Sequence, residues 1–223
     1  MESMSKDGKV PVRFGHSRTS SSMDRGTVSV HFVGAAVSRL APQARDRVLR
    51  IAGIPDEVLG SPQARVTAEA FSALWLAVAR ELDDEFFGLD SRRMKVGSFA
   101  LLCQAVVNAD NLDRALKRML TGFRVLLDDI DAELRLDDGH AVIALANRIR
   151  PPADPRFAVE ALLVMVHGLM CWLTGHRIPI LRADFAYARP AHASEYTVMF
   201  SEHLRFDAAC TEIRFEAAAL TAP

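Results

Sequence analysis

The sequence has few of the residue patterns that usually reveal a catalytic or redox function. Its three cysteines are widely spaced and odd in number, and no C-x-x-C pair occurs. None of the seven histidines forms an H-x-x-x-H or H-E-x-x-H pattern, and no G-x-S-x-G motif is present. A local zinc site, a dithiol redox motif and a nucleophile elbow are therefore not indicated. We expect no metal, no cofactor and no enzymatic activity.

An excess of charge of one sign and a long hydrophobic run are also lacking. Lys and Arg number 27 against 28 Asp and Glu, for a formal net charge of −1. A DNA-binding domain usually has a basic excess on one element, so the overall charge does not indicate nucleic acid. No segment approaches the roughly 18 uninterrupted apolar residues typical of a membrane span, and no signal core follows the basic residues near the N-terminus. We expect a cytoplasmic protein without a membrane partner.

Apolar residues, by contrast, are abundant enough for a large core. They make up 50% of the 223 residues, and a chain of this length can bury a substantial part of them. Residues 1–26 lack periodic hydrophobic positions, and we predict a disordered tail there. Residues 27–223 show no shift in composition, so we predict one domain over this range.

The first half of the chain has the periodicity of helices. Pro42 separates two predicted short helices between Val28 and Arg50, and Thr67 can cap a third, which runs to about Leu82. Ser98 is predicted to cap the next helix, and Asp110 with Asp113 to start another, since carboxylates favour a helix N-terminus.

The second half changes period. Alternating residues on both sides of Asp138-Gly139 predict a β-hairpin. A long apolar helix follows from about Arg156 to Thr174, and strand-like segments lie at 180–187, 204–207 and 211–216. The predicted class is α+β: a helical N-terminal half, then a small, mainly antiparallel sheet packed on a long central apolar helix.

The helix at 156–174 permits two interpretations. Because it is apolar on nearly all sides, it forms either plain core or a dimer face, or it lines an apolar ligand cavity in which methionine is a deformable lining. His167 is the one ionisable group in the middle of this run. It either hydrogen-bonds to neighbouring backbone or is the polar anchor for an apolar effector.

Several short motifs follow one another in a familiar order. These are G-I-P-D-E-V-L at 53–59, F-G-L at 87–89, G-S-F-x-L-L at 97–102, L-x-x-A-L at 112–116, and a late pattern with Phe206, Ile213 and Phe215. In this order the chain resembles the N-terminal effector-binding (arabinose-binding-type) domain of AraC/XylS-type transcription regulators. The resemblance implies a small-molecule sensor that often forms a homodimer and controls transcription through a C-terminal pair of helix-turn-helix motifs.

That C-terminal part is not expected in this chain. Only Glu216 to Pro223 follow Phe215, too few for the roughly one hundred residues of a compact DNA-binding domain. We therefore expect a sensor domain that contacts DNA only through a domain absent from this chain.

The effector pocket is predicted between the helices that begin near 98 and 111, the helix at 156–174 and the inner face of the sheet. The residues predicted to line it are Phe99, Leu102, Cys103, Phe123, Met165, His167 and Trp172. The effector is expected to be small and mostly apolar or amphiphilic. Two alternatives remain open: a dimerisation module without a ligand, and a small hydrolase whose catalytic residues are distant in sequence.

Overall fold

The fold is that of a computed structural model, in which residues 26–222 are described. Apart from Gly26, the predicted tail lies outside this range. The elements in chain order are β1 (Thr27–Ser29), α1 (Val30–Val37), α2 (Pro42–Ile51), a 3-10 helix (Asp56–Gly60), β2 (Arg65–Thr67), α3 (Ala68–Leu82), α4 (Ser98–Val106), α5 (Leu112–Leu126), β3 (Ile130–Asp137), β4 (His140–Asn147), α6 (Pro155–Thr174), β5 (Arg182–Asp184), α7 (Ala193–Met199), β6 (Leu204–Arg205), β7 (Thr211–Glu216) and a second 3-10 helix (Ala217–Thr221). The predicted α+β class is confirmed.

Helix α3 begins where the sequence predicts. The Thr67 hydroxyl accepts a hydrogen bond from the backbone N–H of Ala70, and the helix ends at Leu82, before Asp83 in the left-handed region. Thr67 is also the last residue of β2, which pairs antiparallel with β1. This small two-stranded sheet joins the start of α1 to the start of α3.

Helix α4 is capped by a residue other than the predicted one. Gly97 is the N-cap, with φ of 98°, and Ser98 is the first helical residue and makes no side-chain cap bond. The carboxylate of Glu85 caps the helix instead: it accepts hydrogen bonds from the N–H groups of Gly97 and Phe99, at 2.9 and 2.7 Å. Because Glu85 lies twelve or more residues upstream, a local pattern search assigns the cap to the nearest hydroxyl.

Glu85→Ala is expected to lower the free energy of unfolding by about 1–2 kcal/mol, since two N–H groups at a helix start lose a charged acceptor. Ser98→Ala is the matched control and should change it by less than about 0.5 kcal/mol. Urea denaturation followed by circular dichroism measures both. Equal losses in the free energy of unfolding for the two substitutions would contradict the assignment of Glu85 as the cap.

The main sheet has the strand order β3-β4-β7-β5-β6, and only β5 and β6 are parallel. The predicted hairpin is confirmed: Asp138 and Gly139, with φ of 46° and 78°, form its two-residue turn. The predicted strand at 180–187 is shorter, Arg182–Asp184. Just past its end, the Ala186 N–H donates to the Thr211 hydroxyl and not to a strand carbonyl.

The long helix α6 is the centre of the fold, as predicted. Asp154 caps it, Pro155 occupies its first turn, and Gly175 ends it with φ of 70°. The helix contacts α5 on one side and β4 on another. By length and composition α6 could cross a membrane, but 67% of that stretch is buried inside the fold.

Candidate functional site

Four of the predicted pocket residues lie together where α4 packs on α5. The Phe99 and Phe123 ring centroids are 6.4 Å apart, and both Leu102 and Phe123 are buried. The Leu102 side chain fits over Gly122, where a Cβ atom would come within 2.3 Å of it. Cys103 is partly buried beside the same core, and burial raises the pKa of its thiol. This part of the predicted site is well packed.

The three predicted residues on α6 have different surroundings. Met165 is buried in the core, whereas the Trp172 side chain is 47% exposed. The His167 Nε2 atom lies 2.8 Å from the Ile178 carbonyl oxygen and 3.5 Å from the Cys171 Sγ atom. Burial lowers the pKa of His167, which favours the neutral ring with Nε2 as the donor. The structure therefore shows the backbone hydrogen bond that the sequence allowed.

A small cavity of about 60 Å³ lies between the same three helices. It is formed by the C-terminal end of α4, the N-terminal half of α5 and the last turn of α6, and its lining includes Val106, Leu112 and Leu173. Pockets for drug-sized ligands measure about 300–1,000 Å³, so this cavity is of the size of water molecules. A larger open depression, of about 360 Å³, lies between α2 and the first 3-10 helix, beside Asp46, Arg50 and Asp56.

A buried group of polar side chains lies elsewhere, where α1, α6 and α7 meet. Glu160 on α6 is only 1% exposed. Its Oε1 atom lies 2.8 Å from Nε2 of His192, and it also accepts a hydrogen bond from the Tyr196 hydroxyl. The Tyr187 hydroxyl is 3.0 Å from that of Tyr196. The two tyrosines extend this network toward β5.

The second histidine of this group comes from α1. The His31 ring stacks on the His192 ring, with centroids 3.5 Å apart and an angle of 21° between the planes. Burial lowers the pKa of His31, and the neighbouring His192 lowers it further. Burial also raises the pKa values of Tyr187 and Tyr196 above their usual range, so both phenols stay protonated and able to donate. Among residues 26–222, Glu160 Oε2 is buried without a hydrogen-bond partner.

This polar group is not predicted by the sequence patterns. Glu160 could have been recognised in the sequence, because it is a carboxylate inside an otherwise apolar helix. Its presence means that His167 is not the only ionisable group on α6. No sequence pattern connects His31 with His192, since they lie near opposite ends of the chain. Only the packing of α1 against the start of α7 brings the two rings together.

Comparison with known proteins assigns the family. Residues 43–223 match the family described as "Arabinose-binding domain of AraC transcription regulator, N-term". The chain is also 30% identical, over 165 residues, to the "Ornithine utilization regulator" of Pseudomonas aeruginosa. That alignment covers 74% of this chain and 49% of the relative, so the chain spans about half the length of the curated relative it matches. The chain belongs to the family of N-terminal arabinose-binding domains of AraC-type transcription regulators.

Proposed function

We propose that this chain is the ligand-sensing domain of a bacterial transcription regulator. It binds a small, mostly apolar or amphiphilic effector and controls a DNA-binding domain outside this chain. The observation that carries the proposal is the family match over residues 43–223. The name of the relative, a regulator of ornithine utilization, supports control of transcription in response to a small molecule.

The proposed effector site is the α4–α5–α6 region that the sequence predicts. Its apolar part is Phe99, Leu102 and Phe123, and His167 is its polar group. The small cavity between the same three helices is lined by none of the seven predicted residues, so it must widen toward them to admit an effector. An effector shifts a regulator only if it binds two states differently. Widening of this cavity supplies such a difference, since the closed form has no room for the ligand.

Native mass spectrometry of the purified chain, under gentle and then denaturing conditions, is the first test. A small molecule that leaves only on denaturation supports the proposal and gives the mass of the effector. A ligand-free dimer supports instead a dimerisation module, which the exposed Trp172 on α6 favours. A ligand-free monomer that no compound stabilises in a thermal-shift screen contradicts both.

Phe99→Trp and His167→Leu are expected to weaken binding of the identified effector at least about tenfold, because one adds bulk to the proposed apolar wall beside Phe123 and the other removes the proposed polar group. Phe71→Trp on α3 is the matched control, since Phe71 is also a partly buried aromatic residue. Isothermal titration calorimetry measures the affinities, and circular dichroism verifies folding. Unchanged affinity in both variants places the site elsewhere.

A further inference from the structure

We propose that His31, Glu160 and His192 form a binding site for one divalent transition-metal ion of the zinc class. One ligand atom from each residue, a ring nitrogen or a carboxylate oxygen, lies within 4.8 Å of the other two. His31 lies on α1, Glu160 lies on α6, and His192 is the residue that precedes α7. The proposal does not depend on the identity of the effector or on its site.

The donor set has the chemistry of a zinc-class ion. Two imidazoles and one carboxylate bind Zn²⁺ and its neighbours in the first transition row, whereas Mg²⁺ and Ca²⁺ prefer sites made of oxygen atoms. Three protein ligands leave a fourth position for water or a small ligand. The ring nitrogens must be unprotonated to bind the ion, so metal binding is expected to weaken at acid pH.

The unpaired oxygen of Glu160 is a second, independent indication of a ligand. Glu160 is almost fully buried, and in the part of the chain that the structure describes Oε2 has no hydrogen-bond partner while Oε1 has two. A buried carboxylate is costly unless a cation or several donors satisfy it. A metal ion bound to all three groups would supply that cation beside Glu160.

Only modest movement is needed to bind an ion. Ligand atoms around a tetrahedral zinc ion, with bonds of about 2.0–2.1 Å, lie about 3.3 Å from one another. His192 and Glu160 are already within 2.8 Å. The stacked rings must tilt so that a nitrogen of His31 approaches the same point, and the ring of His31 makes no hydrogen bond among the described residues that would resist this.

The surroundings of the three residues favour a fixed geometry. The Tyr196 hydroxyl holds Glu160 Oε1, and the Phe32 ring packs edge-on against His192 at 5.5 Å. Such outer contacts orient ligands and raise metal affinity. Two further charged groups affect the pKa of His31 in opposite directions. Asp154, the N-cap of α6, raises it, and Arg156, in the first turn of α6, lowers it. The bound ion would link α1 to α6 and α7, and so stabilise the folded chain with the logarithm of its free concentration above the Kd.

The purified 223-residue chain, stripped with EDTA, is titrated with Zn²⁺ and with Co²⁺, and Mg²⁺ is the comparison ion. We expect one Zn²⁺ per chain by elemental analysis after desalting, and a rise in Tm with Zn²⁺ but not with Mg²⁺. Co²⁺ should give a visible spectrum without a thiolate charge-transfer band, which separates this site from the exposed Cys210.

Glu160→Gln, His31→Phe and His192→Phe should each weaken Zn²⁺ binding at least about tenfold. The two phenylalanine substitutions keep the ring stack and remove only the nitrogens. His176→Gln, at an exposed histidine outside the site, is the control and should bind as the wild type does. If His192→Phe does not fold, the result for His31→Phe decides, because the His31 ring makes no hydrogen bond among the described residues that the substitution would remove. Binding of less than about 0.2 ions per chain, or equal binding by all variants, would overturn the proposal.

Discussion

Asp84→Ala is expected to lower the free energy of unfolding by about 3 kcal/mol or more, because it leaves three backbone N–H groups without an acceptor. Asp84 is 3% exposed, just past the end of α3. Its Oδ1 atom accepts hydrogen bonds from the N–H groups of Phe86 and Met94, and its Oδ2 atom from that of Gly88. Each buried donor that loses its acceptor costs about 1–3 kcal/mol.

The same carboxylate fixes the F-G-L segment. Phe87 and Gly88 both lie in the left-handed region, with φ of 60° and 68°. That conformation is unfavourable for phenylalanine, so hydrogen bonds to Asp84 must hold it. It directs the Phe87 ring into the core, 4.5 Å from the Trp75 ring and 5.1 Å from the Phe157 ring. Loss of Asp84 therefore loosens the contact between α3 and α6 as well.

Urea denaturation gives the size of the effect. Asp84→Asn, which keeps one acceptor oxygen, should cost about half as much as Asp84→Ala. Glu69→Ala, at an exposed carboxylate in the first turn of α3, is the control and should stay within about 0.5 kcal/mol. If Asp84→Ala costs no more than Glu69→Ala, the three hydrogen bonds contribute nothing to stability.

Local sequence patterns were sufficient to predict the long helices and the hairpin. They were insufficient to predict which strands that are distant in sequence pair with each other. Helices α3 and α5 follow from apolar periodicity, α6 follows from a long apolar run, and the hairpin follows from Asp138-Gly139. Strands β1 and β2 have three residues each, and their pairing, Val28 with Val66, depends on the packing of two intervening helices. The place of β7 between β4 and β5 is likewise decided by contacts such as Ile143 with Ile213.

The polar group at α6 shows the same limit. A buried carboxylate can be recognised from its apolar neighbours in the sequence, as at Glu160. Its partners cannot, because His31 and His192 meet only after the N-terminal helices have packed against the second half of the chain. The predicted pocket residues on α4 and α5 do lie together, because those two helices are consecutive in the chain and contact each other directly.

Phe185→Ala is expected to lower the free energy of unfolding by about 3–5 kcal/mol, the usual cost of removing a buried phenylalanine. Phe185 follows β5 and has no exposed surface. Its ring lies within 6 Å of four other rings, those of Tyr187, Tyr196, Phe200 and Phe206. Because Tyr196 donates to Glu160, the cavity left by Phe185 also removes support from the polar group.

Thermal unfolding tests this prediction, since 1 kcal/mol corresponds to about 2–4 °C in Tm for a domain of this size. We expect Tm to fall by about 6 °C or more in Phe185→Ala, and by clearly less in Phe185→Leu, which refills most of the volume. Phe206→Ala, at the partly exposed edge of the same ring cluster, should have an intermediate effect on Tm.

Zinc binding adds a second readout. Phe185→Ala should weaken zinc binding although Phe185 offers no ligand atom, because the position of Tyr196 depends on the Phe185 ring. A folded Phe185→Ala variant with an unchanged Tm would show that the aromatic cluster supports neither the sheet nor the carboxylate beneath it.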